Sequence, residues 1–241
     1  MNLDRKFLRT VFCGLVVLAL AASANAAITI TGSAWVVPEA SAQDAEISTL
    51  SGLGTANASF QLNALNLNSN GSTDYTLGSF IASGGAGTIV TAATYSGNAS
   101  SSTPLDFDNP NGSGGTAYSD CAKNQQCGTI FEFTGSAYFT NGETYSVQAD
   151  DGVTLYVGGT ASGDIVLQHT GSESLNTVSG VYNGSTGTES FTFVYAECCG
   201  APAIFSTNLA SGGNVPEPMS FVLLGTLLAG VGLTTRRKRT Q

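Results

Sequence analysis

Between residues 27 and 214 the chain has almost no positive charge. Seven of its eight lysine and arginine residues stand at the two ends (Arg5, Lys6, Arg9, Arg236, Arg237, Lys238 and Arg239), which leaves Lys123 alone inside. Of the 17 acidic residues only Asp4 and Glu217 fall outside that span, so 15 acids face one base and the span carries −14. Such a surface repels nucleic acid and anionic lipid, and it attracts divalent cations. It also keeps an exported protein soluble without any ligand. A single histidine, His169, excludes a histidine-based catalytic triad and a multi-histidine metal centre. The glycine run Gly84-Gly85-Ala86-Gly87 lacks the spacing, the Lys-Ser/Thr pair and the following helix of a phosphate loop. Long helical patterns are scarce as well. Gly, Ser, Thr, Asn and Ala dominate, a composition that suits short strands and many turns.

The ends carry addresses. Arg5, Lys6 and Arg9 precede an apolar stretch at 11–22 and a small-x-small site, Ala24-Asn25-Ala26. This is the pattern of a cleaved signal peptide spanning 1–26. At the other end Pro216-Glu217-Pro218 lies in a linker at 211–218, followed by an apolar helix from 219 and the basic cluster 236–239. The basic cluster would hold that helix's far end in the cytoplasm and leave the domain at 27–210 outside.

Cysteine use agrees with an oxidising compartment. Cys13 leaves with the signal peptide, and Cys121, Cys127, Cys198 and Cys199 remain. Structural disulfides are expected, with three connectivities open: one pairs neighbours and includes a vicinal Cys198–Cys199 bridge, and two staple the 121–127 loop to the later pair. The Cys-x5-Cys spacing with an adjacent pair is not that of a zinc site.

Along 27–210 the chain alternates in short runs. Trp35 anchors a first strand at 28–37. Phe60, Leu62 and Ala64 share one face and Leu65 and Leu67 the other, a parity flip that suggests a bulge or an edge bend. Weaker strands are expected at 75–81 and 88–95, and Asp106 and Asp108 lie in a loop that lacks the closing glutamate of a helix-loop-helix calcium site. Asn141-Gly142 predicts a hairpin between strands at 130–139 and 144–149. Further strands follow near 153–157, 165–169, 178–182, 191–195 and 203–209. The fold class expected is all-β, an antiparallel β-sandwich, flanked by an N-terminal signal-peptide helix and a C-terminal apolar helix.

The chemistry concentrates at Asp150-Asp151-Gly152. Two adjacent carboxylates at about 4 Å repel by about 4 kcal/mol at an effective dielectric of 20. Solvent, backbone donors or a cation must offset that. Calcium takes six to eight oxygens, and the corner provides part of such a set. An aspartate that caps the turn through its own backbone is the plain alternative.

Two resemblances extend this reading. Pro-Glu-Pro, apolar helix and arginine-rich end together resemble the PEP-CTERM sorting signal of Gram-negative bacteria. This implies cleavage by an exosortase, transient membrane attachment through the C-terminal helix, and a surface or extracellular destination in biofilm-forming cells. Residues 142–159, GETYSVQADDGVTLYVGG, resemble the central hairpin of the protective-antigen-type β-sandwich shared with flocculins. Residues 191–200, FTFVYAECCG, resemble the strand and loop facing it. That resemblance implies calcium held by Asp150 and Asp151 through a cis peptide, with Glu197 where many lectins have an asparagine, and sugar hydroxyls bound to the calcium. Tyr118 and Tyr156 are the expected stacking partners. The function implied is a non-catalytic, exported carbohydrate- or exopolysaccharide-binding surface protein. The alternatives are a structural envelope or matrix protein without a specific sugar and, more distantly, a glycoside hydrolase.

Overall fold

A computed structural model describes residues 28–69, 75–84, 89–108, 121 and 125–209. The expected signal peptide, Lys123, Tyr118, the Pro216-Glu217-Pro218 motif and the C-terminal apolar segment lie outside the described residues. Among the described residues no helix is long and apolar enough to cross a membrane.

The elements are β1 (Ile30–Pro38), α1 (Ile47–Leu50), β2 (Ala58–Leu62), β3 (Asn66–Ser69), α2 (Leu77–Ala82), β4 (Ile89–Tyr95), β5 (Phe107–Asp108), β6 (Gln126–Phe139), β7 (Thr144–Asp150), β8 (Val153–Val157), a 3-10 turn at Ser162–Asp164, β9 (Ile165–His169), β10 (Asn176–Val181), β11 (Gly187–Glu197) and β12 (Ala203–Thr207). They form two antiparallel sheets. The larger runs β4-β2-β1-β6-β11-β8-β9, with β5 on one end of β6, and the smaller runs β10-β7-β12-β3. The expected all-β sandwich is therefore the observed class.

Aromatic side chains fill the space between the sheets. Phe131 and Phe133 from β6 and Phe191, Phe193 and Tyr195 from β11 are buried against Val147, Ala149 and Phe205 of the smaller sheet. Phe205 bridges the layers, its ring 5.1 Å from Phe133 and 5.2 Å from Phe193. Each such ring removes a large apolar area from water, at about 25 cal/mol per Å2. The central strands of the larger sheet are buried on both faces. Residues 42–53, with α1, cover the outer face, so Val37, Ile130, Tyr156, Val194 and Ala196 form a second apolar cluster. This explains why β8 is apolar at nearly every position rather than at alternate ones.

Several expectations change. Residues 130–139 and 144–149 do not form a hairpin. The Asn141-Gly142 turn forms, with Gly142 at φ +80°, but it carries the chain from the larger sheet to the smaller one. β7 and β8 likewise belong to different sheets, so the Asp-Asp-Gly corner is a crossing and not a hairpin tip. The parity flip at Ala64–Leu65 is the same event: β2 and β3 lie in different sheets, and both apolar sets face the core. The strand expected at 75–81 is the helix α2. Thr76 caps it, accepting from the Ser79 N–H while the Ser79 hydroxyl accepts from the Thr76 N–H. Leu77, Phe80 and Ile81 then fall on one buried face at helical spacing.

Candidate functional site

The corner between β7 and β8 is assembled by three other segments. Gly152 is required by close approach: a Cβ there would stand 2.5 Å from the Thr170 carbonyl oxygen. Its own carbonyl accepts from the Ala196 N–H at 2.9 Å. The loop after β9 and the end of β11 therefore press directly on the acidic pair. Gly128 of β6 lies beneath, where a Cβ would meet the Glu197 carbonyl oxygen at 2.6 Å and the Cys198 Cβ at 3.1 Å.

Asp150 and Asp151 are both buried, at 9% and 4% exposure, and the peptide between them is cis. Asp151 Oδ1 accepts from the Ser172 hydroxyl at 3.0 Å and the Glu173 N–H at 3.1 Å, and its Oδ2 accepts from the Cys198 N–H at 2.8 Å. Asp150 accepts from the Leu175 N–H. Burial pushes both carboxyls above the usual carboxylate range. For Asp150 the neighbouring Asp151 charge adds to the rise, and at Asp151 the three donors only partly oppose it. No lysine or arginine is present among the described residues to offset this charge. On these loops His169 Nε2 lies 3.4 Å from the Glu173 carboxylate.

Glu197 is not a surface ligand. It stands on the inward face of β11 in step with Phe193 and Tyr195, and it is fully buried. Its Oε1 meets the Tyr75 hydroxyl, which also contacts the Gly200 carbonyl at 3.2 Å. Its Oε2 meets the Tyr195 hydroxyl, which also contacts the Asp150 carbonyl. Tyr195 has one proton to give and two oxygens to satisfy. The set closes when Tyr195 donates to the Asp150 carbonyl and Glu197, as a neutral acid, donates to the Tyr195 oxygen. Burial raises the Glu197 carboxyl well above its ordinary value, in agreement with that proton. The expected metal ligand is thus a buttress that ties α2's leading segment, β11 and the Asp150 backbone together.

The other expected contacts divide. Tyr156 is buried under α1, its hydroxyl accepting from the Ile47 N–H at 3.3 Å, so it offers no face for stacking. Trp35 is half-buried in the same outer cluster and donates from Nε1 to the Gly54 carbonyl. Cys121 and Cys127 form a disulfide. Cys198 and Cys199 are thiols, against the expectation that all four are bridged. Among the described residues no three acidic, histidine or cysteine side chains converge as a metal-binding group. A cation at this corner would draw on Asp150 and Asp151 as two carboxylates of a larger oxygen set, while Glu197 is engaged by the Tyr75 and Tyr195 hydroxyls. The loop 170–175 supplies the pair's donors and was not legible in the sequence, where Ser172 and Glu173 look like any polar loop.

No family model matches the chain, and no curated protein matches it. Among solved structures it is similar to the PA14 domain of the MpAFP antifreeze protein, at 19% identity over 77% of this chain and 83% of that one, with a TM-score of 0.42. It is similar to a PA14 sugar-binding domain from an RTX adhesin, at 17% identity over 76% and 88% of the two chains, with a TM-score of 0.40. It is also similar to an anti-sigma factor domain-containing protein from Clostridium clariflavum, at 10% identity over 77% and 43%, with a TM-score of 0.39.

Proposed function

We propose that this chain is a non-catalytic, exported carbohydrate-binding surface protein whose Asp150–Asp151 corner takes a divalent cation, calcium by its all-oxygen chemistry. One observation carries the reading. Two adjacent carboxylates are held together away from water, both with raised affinity for protons, in a domain without a lysine or arginine among its described residues. A group that binds protons too well for its type is one whose negative charge lacks compensation, and a cation compensates it. Asp150 and Asp151 would hold the ion, and Ser172, Glu173 and Cys198 orient Asp151 for it. Bound calcium supplies open coordination positions for vicinal sugar hydroxyls.

A second reading is favoured by the three hydrogen bonds on Asp151, which come from the 172–173 loop and Cys198 and not from the turn's own backbone, and which already satisfy its carboxylate as a structural tie. On that reading the protein is a structural envelope or biofilm-matrix component without a specific sugar. A glycoside hydrolase fits poorly: its two carboxyls must flank a cleft about 5–10 Å wide, and Glu197, the acid that would face the pair, is enclosed.

Calorimetric titration of the full chain with calcium, alongside Asp151→Asn, tests the cation. Saturable heat lost in the variant is expected; no heat, or equal heat from both, overturns the reading. A glycan array with and without chelator then separates sugar binding from a purely structural role. Export and exosortase processing belong to the same proposal. Intact mass of protein from the envelope or medium should lack the C-terminal apolar segment, and a mass that includes residues 219–241 refutes processing.

A further inference from the structure

The pair Cys198–Cys199 is held in a way the sandwich does not require. The two sulfurs lie 2.7 Å apart, well inside the separation of unbonded sulfur atoms and approaching the bonded distance of about 2.0 Å. Cys199 has φ +67°, left-handed backbone in which a residue with a side chain is uncommon, and it is the one such non-glycine residue among those described. That turn brings its side chain back over Cys198. Cys198 cannot move away, because its Cβ is packed on Gly128 and its N–H donates to Asp151. The partners that would compete for these thiols, Cys121 and Cys127, are already bound to each other.

We propose that Cys198 and Cys199 are a redox modification site, closing in the oxidising compartment to a vicinal disulfide that fixes the Cys198 amide on Asp151. The inference rests on the export part of the proposed function and is independent of the carbohydrate part. Exposure sets the order of events. Cys199 is exposed and Cys198 is buried. The Cys199 thiolate attacks a disulfide of the glutathione class, forming a mixed disulfide and releasing one thiolate. The Cys198 sulfur then attacks the Cys199 sulfur and displaces the second. Two cysteine thiols are oxidised, one external disulfide is reduced, and the two protons leave with the two released thiols. Cys198, enclosed where Cys199 is open to solvent, is the second sulfur to react. Closure leaves the Cys198 N–H in place and removes the thiol hydrogen bond that Asp151 otherwise shares with it.

The full chain is reduced, equilibrated with oxidised and reduced glutathione, alkylated, and digested for mass mapping. The peptide holding Cys198 and Cys199 should be two hydrogens lighter than its dithiol form and take no alkyl label until reduced, with Cys121–Cys127 bridged as the internal reference. Two labels on that peptide beside a bridged Cys121–Cys127 overturn the proposal. So does either cysteine found joined to Cys121, Cys127 or glutathione. Amide exchange at Cys198 should be slower in the oxidised chain; equal rates in both states overturn the link to Asp151.

Discussion

The chain leaves the larger sheet for the smaller one at residues 140–143 and returns at 151–152, and it makes the two crossings by different means. The first uses an exposed turn. Glu143 N–H donates to Thr140, Gly142 takes positive φ, and the Gly142 N–H reaches across to the Tyr182 carbonyl. Its one acid, Glu143, is exposed and accepts from the Tyr145 hydroxyl at 3.1 Å. The second buries Asp150 and Asp151, recruits donors from loop 170–175 and Cys198, and braces the backbone with Tyr195 and Glu197. A crossing between sheets therefore needs no carboxylate. Burying the acids of the second one carries a desolvation cost that the first crossing avoids.

Substitutions at the second crossing should cost far more than those at the first. Glu197→Ala removes one of the two partners of the Tyr75 and Tyr195 hydroxyls and opens a cavity, and should destabilise by about 3 kcal/mol in a denaturant titration. A loss below about 0.5 kcal/mol, the scale of surface changes, would show that the buttress carries no weight. Tyr195→Phe keeps the ring and removes the shared hydroxyl, for an expected loss of about 2 kcal/mol by the same measurement.

The third test uses pH, with chelator present. Burial raises the folded-state affinity of Glu197 for its proton, so its contribution is complete below the ordinary carboxyl value and is lost as pH rises through the raised one. Stability should fall with rising pH in that range by up to about 1.4 kcal/mol per pH unit for this one proton. Glu197→Gln, which keeps a donor for the Tyr195 oxygen, should flatten that slope and match or exceed the parent at alkaline pH. An unchanged slope would mean that Glu197 is ionised. The smallest effect belongs to the first crossing, where Glu143→Gln, at an exposed side chain, should stay within about 0.5 kcal/mol in the same denaturant titration.

Much of this was readable before the structure. Alternation located β1, β4, β6 to β12 and the acidic corner, because inward and outward positions differ in chemistry along a half-buried strand. Which strands share a sheet was not readable. Phe131 and Val147 carry the same signal whether their strands pair or stack, and an Asn-Gly turn serves a hairpin and a crossing alike. α2 was missed because it is only six residues long, too short for the helical spacing of Leu77, Phe80 and Ile81 to stand out, and its Thr76–Ser79 cap pattern is common in so Ser- and Thr-rich a chain. At the site, Asp150 and Asp151 were legible as neighbours in sequence. The inward aim of Glu197 follows from its parity with Phe193 and Tyr195, which the charge of the residue obscured. The cover over Tyr156 comes from a segment about 109 residues away, whose docking no local pattern announces.

The order of the larger sheet sets when the protein can become itself. β1 pairs along its length with β6, Ala34 opposite Phe131, and β6 is completed on its other side by β11, Ile130 opposite Ala196. Neither edge of this strand is satisfied by its sequence neighbours. Nearly the whole domain must emerge before its central strand has partners, so assembly is a late, all-or-none event on the millisecond-to-second scale of all-β topologies. A chain that gains so little from partial folding stays extended until its synthesis is nearly finished.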